Sequence, residues 1–200
     1  MEEEILKKAK DLFANKQYGS AIIFLDKLII SNYKIVEVYN RRGRARLRLG
    51  KYIEAITDFD AAISINPEGS AAYGNKAICF ERQSKFKEAI EYYDKAIMLS
   101  EKNLETSIGL DYSNRGLCKK KMGDLAGAKL DWEKAIKYND WYAKKLYKRY
   151  FSNNHKPLIQ NMDSDYKDLN HLPDGYGGYI DRTLIEDGLG GEDEAYWSID

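Results

Sequence analysis

The chain has 200 residues, of which 44% are apolar and 32% charged, with a formal net charge of zero. Apolar content at this level supports a buried core, and the excess of charge over the usual quarter suits a thin repeat array with much surface. No stretch approaches the roughly 18 apolar residues of a membrane span, and the charged start MEEEILKKAKDLF lacks the apolar segment of a secretory signal. Only two cysteines occur, Cys79 and Cys118. We therefore expect a reducing compartment, and cytoplasmic residence by default.

The zero net charge is a cancellation between two unlike segments. From Pro157 to Asp200, eleven acidic residues stand against two basic ones, so this segment carries −9 and the first 156 residues carry +9. Such an asymmetry predicts that the acidic segment is an interaction tail.

Alanines recur at similar intervals along the first two thirds of the chain. Ala21, Ala55, Ala89 and Ala128 are separated by 34, 34 and 39 residues. In the last three copies an aromatic residue follows four positions later, and a tyrosine precedes the alanine by sixteen positions. A turn signal around positions 50, 84 and 123 separates the two halves of each copy. Each copy is therefore predicted to form a helix, a tight turn and a second helix.

This pattern resembles the tetratricopeptide repeat, a 34-residue helix–turn–helix unit with an aromatic residue, a small residue, then Ala-x-x-x-Phe and a terminal proline. The resemblance covers about residues 2–140, and the second copy matches best. Its matching residues are Tyr39, Gly43, Gly50, Tyr52, Ala55, Phe59, Ala62 and Pro67. The resemblance implies an all-α fold, a right-handed α-solenoid of about four units at 2–35, 36–69, 70–103 and 109–142.

The sequence departs from the family pattern in several places, and two departures concern the first helices and the spacing of the units. The leucine that usually precedes the small residue of the first helix is replaced by Arg42, Lys76 and Arg115. Five extra residues near Ser100–Leu110 set off the fourth unit, and they predict either a longer connection or an added helical turn.

The last helical segment before the acidic tail is predicted to cap the array. In residues 141–152, Tyr142, Leu146 and Tyr150 share one face and the lysines the other. The array with this capping helix is thus assigned to 1–156. The tail, 157–200, is acidic, contains glycine and tyrosine, and is expected to be largely irregular, with helical spacing of apolar residues only at 158–170.

In the family that the repeats resemble, the first helix of each unit lines a concave groove that commonly binds extended peptides. The resemblance therefore implies a non-catalytic protein–protein interaction scaffold. The groove positions are Lys7, Lys10, Asn40, Arg41, Arg44, Arg48, Asn75, Ile78, Arg82, Asn114, Lys120 and Lys121. These residues predict a basic groove with amides for a peptide backbone, and hence a protein or peptide partner that is acidic.

One family subtype holds the acidic C-termini of heat-shock chaperones in a carboxylate clamp of lysine, asparagine and arginine. Counted from the first copy, the clamp positions hold Leu6, Lys10, Arg41, Ala71 and Asn75, with no match. Counted from the second copy, they hold Asn40, Arg44, Asn75, Leu110 and Asn114, and only Asn75 matches. A standard chaperone clamp is therefore not predicted, although an acidic ligand is.

The opposite charges of the two segments also predict that residues 171–200 occupy the groove of their own chain or of a neighbour, in competition with an external ligand. The alternative is a tail that only aids solubility.

Signatures of catalysis or of a cofactor are not visible in the sequence. No phosphate-binding loop, dinucleotide fingerprint or paired zinc motif occurs. Cys79 and Cys118 occupy the same repeat position and are predicted to be packing residues. We therefore expect no enzyme activity, no cofactor and no metal site. The rival function is single-stranded nucleic-acid binding by the basic array, which we regard as the less favoured one.

Overall fold

The computed structural model describes residues 1–103 and 108–151. Within these residues the chain forms nine α-helices and no strand. The helices are α1 (Glu2–Ala14), α2 (Tyr18–Ile30), α3 (Ile35–Arg48), α4 (Tyr52–Ile65), α5 (Ser70–Arg82), α6 (Phe86–Lys102), α7 (Ile108–Lys121), α8 (Leu125–Lys137) and α9 (Trp141–Phe151). Each helix packs on the next along the chain, so the predicted all-α solenoid is confirmed.

Helices α1 to α8 form four antiparallel pairs, and each pair closes through the same type of turn. The turn residues Lys16, Gly50, Ser84 and Gly123 all have left-handed backbone, with φ of 57°, 72°, 57° and 86°. The following amide then bonds back to the first helix; that of Lys51, for example, donates to the Arg46 carbonyl at 2.9 Å. This is a common way to end a helix, because it satisfies carbonyls that lack partners within the helix.

In the second, third and fourth pairs a small residue on the first helix faces a large ring on the second. Phe59, Tyr93 and Trp132 are completely buried on the second helix of their pairs. A Cβ atom added to Gly43 would lie 2.6 Å from Phe59 Cε1, and one added to Gly116 would lie 2.6 Å from Trp132 Nε1. Glycine at these positions therefore allows the two backbones to approach around the ring.

The third pair is longer than the others. Helix α6 has 17 residues, against 14 in α4 and 13 in α8. Its additional turn is packed, because Leu99 and Ser100 are buried and Tyr112 of α7 donates a hydrogen bond to Glu101 at 2.6 Å. Of the two expectations for the extra residues before the fourth unit, the described residues thus show an added helical turn.

The cations that replace the family leucine lie at the junctions between repeats. We call Arg42, Lys76 and Arg115 the junction cations. Each one pairs with an aspartate on the second helix of the preceding repeat, and these junction aspartates are Asp26, Asp60 and Asp94. The distances are 2.7 Å from Arg42 Nη1 to Asp26 Oδ1, 2.5 Å from Lys76 Nζ to Asp60 Oδ1, and 2.6 Å from Arg115 Nη1 to Asp94 Oδ1.

Two of the junction cations also bind a buried aspartate of their own repeat. Arg42 Nη2 lies 2.6 Å from Asp58 Oδ1, and Arg115 Nη2 lies 2.6 Å from Asp131 Oδ1. Asp58 and Asp131 are 1% and 2% exposed. In the third repeat the equivalent position is Tyr92, and the Lys76 ammonium lies over its ring, 4.4 Å from the centroid. Each charge at these junctions therefore has an opposite charge or an aromatic ring against it.

Helix α9 covers the end of α8, as the sequence predicted for a capping helix. Tyr142, Ala143 and Leu146 are buried, and the ring of Tyr150 stacks on Trp132 with the centroids 5.5 Å apart. No helix within 1–103 and 108–151 is long and apolar enough to cross a membrane. The predicted helix at 158–170 and the irregular tail lie outside the described residues.

Candidate functional site

The first helices of the four pairs, α1, α3, α5 and α7, form one layer, in which α3 contacts α5 and α5 contacts α7. In α3, Gly43 faces the ring on α4, which fixes the orientation of the helix. Residues 37, 41, 44 and 48 are rotated about 100° to 160° away from Gly43 at 3.6 residues per turn, so they form a stripe on the opposite face.

We call this face of the four helices the inner stripe. Its members in α1 to α7 are Glu3, Lys7, Lys10 and Ala14; Glu37, Arg41, Arg44 and Arg48; Ala71, Asn75, Ile78 and Arg82; and Leu110, Asn114, Leu117 and Lys121.

In the first two repeats the inner stripe is cationic. Glu37 Oε1 accepts hydrogen bonds from both sides, from Arg41 Nε at 2.9 Å and from Lys10 Nζ at 3.1 Å. Partial burial raises the pKa of Glu37, but the two cations outweigh it and hold this pKa below its ordinary value. The guanidinium of Arg44 lies over the Phe13 ring, 5.1 Å from its centroid, and Lys7 is exposed. These contacts orient cations along the stripe, with positive charge in excess.

In the last two repeats the inner stripe is apolar with amides. Asn75 and Asn114 are 0% exposed, and Ile78 is 4% exposed. Leu110 and Leu117, on either side of Asn114, are buried as well. Neither amide atom of Asn114 has a hydrogen-bond partner among the described residues. A buried amide without partners is costly, so this side chain is suited to bind both a donor and an acceptor, as an extended peptide backbone offers.

The other predicted groove residues divide into two groups. Arg48 and Arg82 are half-buried, and with the exposed Lys121 they occupy the same position at the ends of α3, α5 and α7. Asn40 and Lys120 lie beside the stripe rather than on it. The Lys120 ammonium is 4.8 Å from the centroid of the Tyr150 ring, so this side chain is directed toward α9.

Beyond the groove residues that the sequence predicted, Phe13, Glu37, Leu110 and Leu117 also contribute to the site. The repeat spacing could have found Leu117, which stands 39 residues after the assigned Ile78, and the helical spacing could have found Glu37 and Leu110, each four residues before an assigned position. Phe13 becomes relevant only through its contact with Arg44.

Reactive or metal-binding chemistry is not visible elsewhere in 1–103 and 108–151. Cys79 and Cys118 are both free and buried, and burial raises the pKa of Cys79 to about 12 and that of Cys118 also upward, so both are the packing residues that the sequence predicted. Within the described ranges, no group of three or more histidine, cysteine or acidic side chains could hold a metal ion. His155 and His171 lie outside them.

Residues 40–103 match the family model described as tetratricopeptide repeat. This part of the chain is thus similar to tetratricopeptide repeats. A curated relative in Arabidopsis thaliana, Hsp70-Hsp90 organizing protein 3, is 28% identical over 163 residues, which are 82% of this chain and 26% of that protein. The chain spans 11%, 19% and 29% of the lengths of three further curated relatives that it matches.

Solved structures give the same fold. MamA from Desulfovibrio magneticus superposes with a TM-score of 0.60 at 18% identity, covering 70% of this chain and 76% of that one. The first tetratricopeptide domain of Spaghetti (RPAP3), bound to the HSP90 peptide SRMEEVD, superposes with a TM-score of 0.53 at 24% identity, covering 58% and 90%. At these identities the likeness shows the tetratricopeptide fold alone.

Proposed function

We propose that this protein is a non-catalytic interaction scaffold that binds an acidic segment of a protein partner along its inner stripe. The observation that carries the proposal is the row of cations on α1 and α3, held by Glu37 and Phe13 in one face of the layer. A carboxylate-rich peptide would meet guanidinium groups that are already oriented, which favours its association over that of neutral peptides.

The relatives support the general class of function. Their names include Hsp70-Hsp90 organizing proteins, and one neighbouring structure holds an acidic chaperone peptide. Only one of the clamp residues by which the family holds such chaperone termini, Asn75, is matched in this sequence, however, and Arg41 and Arg44 stand at positions where the clamp has no arginine. We therefore propose an acidic ligand other than a standard chaperone terminus.

The proposal also includes regulation by the chain itself. Residues 157–200 carry −9 against +9 for the rest, so the acidic tail is the ligand present at the highest effective concentration, about millimolar for a short tether. An external partner would then have to displace it.

The test is a titration of a fluorescently labelled peptide covering 171–200 into the full chain, followed by anisotropy at low and high salt. Because the tail of the receptor competes, a second receptor has its acidic run neutralised by Glu192→Gln, Asp193→Asn and Glu194→Gln. We expect saturable binding that weakens with salt and is tighter to the neutralised receptor.

A charge-matched pair of variants localises the binding. In the neutralised receptor, the double substitution Arg41→Glu and Arg44→Glu should weaken binding at least about tenfold, because it replaces two oriented cations by repelling charges. Lys51→Glu with Lys87→Glu makes the same change in net charge at exposed positions beside α4 and on α6, and should change the affinity less than about twofold. Equal losses in both variants, or no binding at about 100 µM, would contradict the proposal.

Nucleic acid is the second outcome that this assay can reveal. Stacking of bases requires accessible rings, and the repeat residues Tyr93 and Tyr112, which are 0% and 2% exposed, do not provide them. A labelled oligouridine of 20 nucleotides that bound the chain more tightly than the peptide, with a steep salt dependence, would favour the nucleic-acid function instead.

A further inference from the structure

The inner stripe has a direction, because its two halves differ in chemistry. Along α1 and α3 it carries Lys7, Lys10, Arg41 and Arg44, whereas along α5 and α7 it carries Asn75, Ile78 and Asn114 with two leucines. A ligand that crosses all four helices is therefore bound through carboxylates at one end and through apolar side chains at the other.

We infer that the C-terminal segment of this chain, 171–200, occupies the inner stripe in one fixed direction, with Leu184 and Ile185 against α5 and α7 and the acidic run 192–194 against α1 and α3. This inference rests on the proposed function, since it requires that the stripe bind acidic segments. It adds which segment binds and in which order its residues meet the repeats.

The order of residues in the tail fits the two halves. The apolar pair Leu184 and Ile185 precedes the acidic run Glu192, Asp193 and Glu194, and the rings of Tyr196 and Trp197 follow that run. From residue 185 to residue 192 an extended chain spans about 23 Å at 3.3 Å per residue. Two steps between neighbouring packed helices, from α7 through α5 to α3, cover about 16 to 20 Å. The spacing in the sequence thus matches the spacing of the two halves of the stripe.

The direction is also compatible with where the described chain ends. Helix α9 ends at Phe151 and packs on α8, so the chain leaves the array at the fourth repeat. The 33 residues from there to Leu184 can span about 110 Å, more than the array requires. A segment that enters at α7 and runs toward α1 places its earlier residues on the apolar half and its later residues on the cationic half.

The buried amide of Asn114 provides an independent argument. Its two polar atoms have no partner in the described residues although the side chain is fully buried, and it lies between Leu110 and Leu117 on the stripe. A peptide segment seated there would bring a backbone N–H and a carbonyl to this amide and apolar side chains to the two leucines. The apolar part of the tail supplies both.

The experiment is zero-length carbodiimide coupling of lysines to carboxylates in the full chain at low concentration, with the linked peptides mapped by mass spectrometry. We expect residues 192–194 to couple to Lys7 or Lys10 and not to Lys120 or Lys121. A mixture of isotope-labelled and unlabelled chains distinguishes links within one chain from links between two chains, because links within one chain give no mixed-isotope products.

Two variants test the apolar half without removing a coupling carboxylate from the acidic run. Leu184→Asp with Ile185→Asp should reduce the coupling of 192–194 to α1 at least about tenfold, because two buried apolar contacts are lost. The same two changes at Leu158 and Ile159, outside the proposed segment, should leave it within about twofold.

Each result decides a different part of the inference. Coupling of 192–194 to Lys120 or Lys121 would overturn the proposed direction. Mixed-isotope links would show that the tail occupies the inner stripe of a neighbouring chain instead of its own, which would overturn binding within one chain. Absence of coupling, together with tight binding of the labelled peptide to the unmodified chain, would overturn occupancy by the tail while the proposed function stands. Absence of coupling and of peptide binding to the neutralised receptor would overturn both.

Discussion

The second and fourth repeats differ from the third in the side chains that pair with the junction cation. In all three, a junction cation stands where the family has leucine, and it reaches an aspartate of the preceding repeat. Repeats two and four use arginine and add a buried aspartate, Asp58 or Asp131. Repeat three uses lysine and adds the Tyr92 ring. Two carboxylates thus require the forked guanidinium, whereas one carboxylate and a ring suit a compact ammonium.

The largest expected effect comes from removing the buried carboxylate of the second repeat. Asp58→Ala leaves Arg42 and Arg46 facing a buried site that has lost its anion, since Asp58 accepts from both, at 2.6 Å and 2.8 Å. We expect the free energy of unfolding to fall by about 3–5 kcal/mol, measured by urea denaturation followed by circular dichroism.

Two matched changes sharpen this comparison. Asp26→Ala removes the half-exposed partner of the same Arg42 and should cost only about 0.2–1 kcal/mol. Tyr92→Leu in the third repeat keeps apolar volume, leaves the pair of Lys76 with Asp60, and should cost about 1 kcal/mol. Equal losses for Asp58→Ala and Asp26→Ala would show that burial does not decide the strength of these junctions.

The next largest change in the free energy of unfolding is expected where a small residue packs against an aromatic ring. Gly116→Ala places a methyl group 2.6 Å from Trp132 Nε1, and Trp132 is held there by its hydrogen bond to the Ser113 carbonyl at 3.1 Å. We expect a loss of about 1–3 kcal/mol in the same unfolding assay. The third repeat has alanine natively, so Ala77→Gly should cost about 1 kcal/mol or less; a gain in stability there would contradict the packing argument.

A smaller effect, of opposite sign, is expected at the turns. Ser84 has φ of 57°, whereas the equivalent positions in the second and fourth repeats are Gly50 and Gly123. Ser84→Gly should raise the free energy of unfolding by about 1 kcal/mol, because glycine adopts left-handed backbone without the steric cost of a Cβ. The reciprocal change, Gly50→Ser, should lower it by a similar amount, and a stabilisation by both would be inconsistent with this reason.

The third repeat also contains a buried carboxyl group that makes stability depend on pH, which the second and fourth repeats lack at this position. Burial raises the pKa of Glu81, although Tyr93 donates a hydrogen bond to it at 2.7 Å; the second and fourth repeats have Leu47 and Lys120 at this position. A carboxyl group with a raised pKa in the folded state binds more protons folded than unfolded, so its contribution to stability falls as the pH rises through that range.

Glu81→Gln should therefore remove this decrease in stability with rising pH, while it keeps a hydrogen-bond acceptor for Tyr93. We expect the variant to gain stability over the native chain at pH 7 and to lose that advantage toward pH 4. Unfolding curves at several pH values measure it; a difference that is independent of pH would rule out titration of Glu81.

Much of the fold could be predicted from periodicity, and less of the site. The alanines and the rings four residues after them fix which helices pair and which faces touch, because only a small residue fits beneath a ring. The replacement of leucine by Arg42, Lys76 and Arg115 was visible, but its meaning required three-dimensional proximity to the junction aspartates. Likewise, Asn114 is buried between Leu110 and Leu117, which a search for charged groove residues passes over.

The junctions have a consequence for how such a chain can evolve. The junction aspartates stand at 26, 60 and 94, so each repeat offers its successor an acceptor at the same place. If a gene lost the unit 70–103, Arg115 would find Asp60 where it now finds Asp94, and a duplicated unit would bring its own donor and acceptor. The array can thus lengthen or shorten by whole units without new complementary mutations, and the length of its inner surface becomes a trait on which selection can act directly.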